Sequence, residues 1–165
     1  MYAIMDCEGI QTSKTHICIR KLYILASDGI TDHQQEFVAC TSFEEIEDKY
    51  KKAFIYCNKN IHKLCYYPTT MSMPCQTAAK SLQTFIENNN IKIVLFKGGI
   101  IEMRLCKYLE IEYYDIGSIV PKVASHDPRI EVLAHLHYLT TYCKDVIKTI
   151  MQCEQKTDRR TDPNS

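Results

Sequence analysis

Apolar and polar positions change their spacing several times along the chain, and each change predicts an element. Tyr2 to Cys7 is a short apolar run that ends on acids, Ile17 to Ala26 carries the β-branched and aromatic residues of a long strand, and Gln35 to Cys40 suggests a third strand. Asp28-Gly29 supplies the turn between the second and the third. At Ser42 the period becomes helical. Ser42 and Glu45 have the spacing of a capping box, and Phe43, Ile46, Tyr50, Phe54 and Cys57 recur every three or four residues.

The stretch from 58 to 75, with Pro68 and Pro74, is irregular, and a second helix is expected from Thr77 to Glu87, stopped by Asn88 to Asn90. Ile91 to Phe96 is the most apolar strand and belongs in the middle of a sheet. Gly98-Gly99 breaks it, Ile101 to Leu109 resumes helical spacing, and Tyr113 to Ile116 makes a fifth strand. Asp127 as N-cap and Pro128 at the first helical position open a last helix that the pattern carries to about Met151. Three strands followed by alternating helices and strands predict an α/β fold, a mixed five-stranded sheet flanked by helices. Residues 1–152 are expected to form one domain. Glu154 to Ser165 contains no apolar residue, and 153–165 is expected to be a disordered polar tail.

Composition narrows the function. Of 165 residues 45% are hydrophobic, enough for a single core. Twenty Lys and Arg cancel twenty Asp and Glu, which excludes binding nucleic acid by bulk positive charge but leaves room for an enzyme that meets phosphate through bound metal ions. The first residues carry no signal-peptide pattern and no segment reaches the roughly eighteen apolar residues of a membrane span, so the chain is expected to be intracellular with no membrane partner. Nine cysteines, an odd count, with Cys7, Cys40, Cys106 and Cys143 inside apolar patterns, predict reduced and mostly buried thiols. Cys57, His62, Cys65 and Cys75 are candidate ligands of a structural zinc, although their spacing fits no common zinc module and ordinary loop residues are the simpler expectation.

Four acids stand where acids are costly or useful. Asp6 and Glu8, two apart at the end of an apolar strand, share one face, and a divalent cation relieves the repulsion between such a pair. Glu102 follows the Gly-Gly break after the central strand, at the carboxyl edge where ligands gather in open sheets. Glu131 lies in the first turn of the last helix, five residues after His126. Each also has a plain explanation as a solvated strand end or a dipole-stabilising helix acid.

In this order, Asp6-x-Glu8, Glu102 and His126-x4-Glu131 resemble the motifs of the DEDDh exonucleases, the DnaQ-like branch of the RNase H-like superfamily. The resemblance spans roughly residues 1–150. It departs from that family in having glutamate at 102 and 131 in place of aspartate, and Lys97-Gly98 in place of a His-Asn pair. It implies an RNase H-like fold and 3′-5′ exonuclease activity on a single-stranded DNA or RNA end. Two Mg²⁺ or Mn²⁺ ions would be held by Asp6, Glu8, Glu102 and Glu131. His126 would take the proton from the attacking water, work that histidine suits at neutral pH. Gly9 and Ile10 would meet the terminal nucleotide, Lys97 or Arg129 a phosphate, and Asp115 matches a structural acid of the family. A weaker resemblance, to the Maelstrom domain, implies the alternative of a catalytically inactive module that binds RNA or a protein.

Overall fold

A computed structural model describes residues 1–37, 42–60, 72–73 and 75–158. The elements are β1 (Tyr2–Gln11), β2 (Ile17–Ala26), β3 (Asp32–Phe37), a 3-10 turn at Phe43–Glu45, α1 (Asp48–Asn60), β4 (Ser72–Met73), α2 (Cys75–Asn88), β5 (Ile93–Phe96), α3 (Ile100–Tyr108), β6 (Tyr113–Asp115), α4 (Pro128–Tyr142) and α5 (Lys144–Asp158).

They build an α/β fold in which one mixed sheet, ordered β4-β3-β2-β1-β5-β6, carries helices on both faces, consistent with an RNase H-like arrangement. β1 to β3 form an antiparallel meander, whereas β5 and β6 join β1 in parallel. All five expected strands are present, and the two-residue β4 extends the edge beside β3.

Alternation along β1 sorts its side chains between two cores. Ala3, Met5 and Cys7 join Leu82 and Ile86 of α2 and Leu105 and Cys106 of α3. Ile4 joins Val132, Leu136 and Leu139 of α4 and Ile150 of α5 on the opposite face. The four residues of β5 are all buried, as a strand covered on both sides requires. Each fully buried aliphatic side chain in these layers contributes about 1.5–3 kcal/mol.

Several boundaries differ from the sequence expectation. β1 runs past its acids to Gln11, and the third strand begins at Asp32 and ends at Phe37, with 38–40 outside the described residues. Ser42 makes no side-chain cap, and the helix expected there splits into the 3-10 turn and α1. The last helix is two: Cys143 closes α4 through its N–H to Leu139 O (3.0 Å), and its carbonyl accepts from Ile147 N (3.1 Å) in α5. α5 continues to Asp158, so residues 153–158 are helical rather than a disordered tail, and 159–165 lie outside the described residues.

The cysteines are not uniformly reduced, because Cys18 is disulfide-bonded. Cys7, Cys57, Cys106, Cys143 and Cys153 are free. Of the candidate zinc quartet, His62, Cys65 and the Cys75 side chain lie outside the described residues.

Candidate metal centre

β5 stops sooner than β1. Its pairing with β1 covers Tyr2, Ala3 and Ile4 only, while β2 accompanies β1 from Ala3 to Gln11. Beyond Met5 the flank of β1 is therefore open on the β5 side. Glu102, in the first turn of α3, fills part of that opening: its Oε1 accepts from the backbone N–H of Cys7 at 3.0 Å. Gly99 makes the room. A Cβ there would collide with the Glu102 carboxylate, although the backbone of Gly99 is extended and suits any residue.

Asp6 continues the face of Ile4 toward α4, whose N-terminal turn brings Glu131 across. Asp127 caps that turn by accepting from Arg129 N (2.9 Å). One carboxylate oxygen from each of Asp6, Glu8 and Glu131 lies within 4.8 Å of the others, close enough to share a cation. Their own charges oppose this closeness. Burial first, then Glu131 and Glu102, push Asp6 up to about 9. Burial and the same two neighbours push Glu8 to about 7, against the opposing charge of Lys21, its cross-strand partner. Glu102 is also raised by burial, although the Cys7 N–H favours its charged form. The buried Oδ2 of Asp6 has no hydrogen-bond partner.

A cleft of about 610 Å³ opens beside the cluster, lined by Asp6, Glu102, Glu131, His126, Lys97 and Lys122 among others. His126 is exposed on the loop before α4. The two loops that frame the cleft are tied together by Asp115, whose Oδ1 accepts from both Gly98 N and Gly117 N at 2.8 Å. Gly98 adopts a positive φ of 37°, a conformation that suits glycine.

The structure thus brings Asp6, Glu8, Glu102, Glu131 and His126 to one end of the sheet, with Lys97 beside them. It does not bring the remaining three expected contacts. Ile10 is 4% exposed and packs with Cys18, Phe54 and Phe43, so it is core and has no face to offer a base. Gly9 lies against Cys18 O and Ile101, where a Cβ would stand 2.6 Å from that oxygen, so its role is close strand packing. Arg129 is turned toward the Tyr23 hydroxyl, which itself donates to Asp32 Oδ2 at 2.8 Å. Lys122 carried no sequence signal, since it stands in an irregular stretch with no motif around it.

An all-oxygen set of crowded carboxylates with an unpartnered buried oxygen fits a hard divalent cation such as Mg²⁺ or Mn²⁺. No known family model matches the chain, and no curated protein is detectably similar to it.

Proposed function

We propose that the protein is a metal-dependent 3′-5′ exonuclease that hydrolyses phosphodiesters of single-stranded DNA or RNA. The observation that carries this reading is the convergence of Asp6, Glu8 and Glu131 within 4.8 Å, next to an open cleft that also holds His126. Asp6, Glu8 and Glu131, with Glu102 beside them, would hold the two ions. Bound divalent ions supply the Lewis acidity and charge neutralisation that phosphodiester hydrolysis needs. His126 accepts the proton of the attacking water. Lys97 offers a cation to the substrate backbone, and the buried wall formed by Cys7 limits water on the strand side.

A second reading has its own support. Glu102 falls outside the close cluster and its Oε1 is engaged by Cys7 N, as a structural plug would be. That arrangement suits an inactive RNase H-like module that binds RNA or a protein, in the manner of the Maelstrom resemblance.

The test is hydrolysis of end-labelled single-stranded DNA and RNA in Mn²⁺. The nuclease reading expects shortening from the 3′ end, abolished in a Glu8→Gln, His126→Ala double variant. Activity that persists in that variant overturns it. Mn²⁺ titration of Glu102→Gln separates the readings further: weakened binding counts Glu102 as a ligand, and unchanged binding assigns it to the plug.

A further inference from the structure

The cleft has a second chemical character. Away from the acids it is lined by Lys97, at the end of β5, and Lys122, on the loop between β6 and α4. Three carboxylates line the same cleft, yet neither ammonium forms an ion pair with any carboxylate among the described residues, where the ion pair formed is Lys51 with Asp48. Lys97 is half-buried and approaches His135, a 4%-exposed side chain of α4 whose Nε2 has no hydrogen-bond partner.

The glycine amides beside these cations are already engaged. A glycine loop can cradle phosphate with its amides, but Gly98 N and Gly117 N both donate to Asp115. Arg129, the other cation near the start of α4, faces Tyr23. Two uncommitted ammonium groups in one cleft are left, and lysine binds phosphate as a point charge without demanding one geometry.

We propose that Lys97 and Lys122 form a metal-independent phosphate subsite, which holds the polynucleotide backbone beside the acidic cluster. The identity of the polyanion as single-stranded nucleic acid rests on the nuclease reading, whereas the clamp itself does not need hydrolysis. The subsite fixes where the chain lies and carries no base preference.

Fluorescence anisotropy of a labelled oligothymidylate, titrated with the full chain in EDTA over a range of salt, tests this. The wild type is expected to bind without metal. Lys97→Met and Lys122→Met each weaken binding several-fold at low salt and each reduce the slope of log K against log salt by about 0.7, the value for one single-strand phosphate contact. Lys92→Met, at the opposite end of β5, leaves both unchanged. No binding in EDTA, or an unaltered slope in the double Lys97→Met, Lys122→Met variant, overturns the subsite. Competition by inorganic phosphate as effective as by the unlabelled oligonucleotide also overturns it, since the site would then take a lone anion rather than a chain. Mn²⁺-dependent hydrolysis is read separately: binding in EDTA with no hydrolysis in Mn²⁺ removes the nuclease reading and keeps the clamp, and hydrolysis with unchanged slopes removes only the clamp.

Discussion

The two halves of β1 keep different company. From Tyr2 to Ile4 the strand has β5 on one side and β2 on the other, and its side chains are swallowed by the two cores. From Asp6 onward β5 is gone, and the same strand carries two carboxylates raised by burial and by the charges of Glu131 and Glu102. A strand that loses one neighbour midway has backbone and side-chain positions that are sheltered yet reachable. The first half contributes stability; the second stores electrostatic repulsion that a cation would relieve.

Four measurements would break or sharpen that contrast. The largest effect is expected from Asp6→Asn, which on the proposed nuclease function should reduce Mn²⁺-dependent hydrolysis roughly 10³-fold, about 4 kcal/mol of barrier, as read by single-turnover rates. Next, Ile4→Ala, two residues away, should cost about 3 kcal/mol in urea unfolding and leave Mn²⁺ affinity where it was. If Ile4→Ala moved metal affinity as much as stability, the two halves would not be separate.

The third is the pH dependence of the metal-free protein. A carboxyl ionises near 4 in the unfolded chain, but folded Asp6 keeps its proton to about 9 and folded Glu8 to about 7. The folded state then binds more protons over this window, so the stability these two groups contribute should be fully present below about pH 4 and be lost as pH rises toward 9. Thermal unfolding in EDTA should show the fall, Asp6→Asn should flatten it, and Mn²⁺ at about 100 times its Kd should restore about 2.7 kcal/mol with release of protons. The smallest effect belongs to Asp127→Ala, where loss of the α4 cap should cost about 1 kcal/mol in the same unfolding experiment.

Much of the fold was legible because it depends on local pattern: the strand at Ile17–Ala26 and the cap at Asp127 stand where the residues put them. The break at Cys143 was hidden for a physical reason. Leu136, Leu139, Cys143, Ile147 and Ile150 keep helical spacing straight through it and pack on one core, so periodicity does not register the interruption. The acids could be picked out by position, but the tie between Glu102 and Cys7 spans 95 residues and belongs to the tertiary structure. Ile10 was expected at the substrate end on the strength of the family resemblance, and only the packing of Phe54 from α1 shows that it is covered.

Asp115 has a consequence for how the cleft could vary. Its Oδ1 fastens the loop that bears Lys97 to the one that leads toward Lys122 and His126, beside the Ile116 N–H that donates to Phe96 O at 2.8 Å. The gap between the walls is therefore pinned at its root by a side chain as well as by the sheet, like the rivet of a pair of callipers. Substitutions along either loop change what the jaws carry, whereas a change at Asp115 alters how far apart they stand.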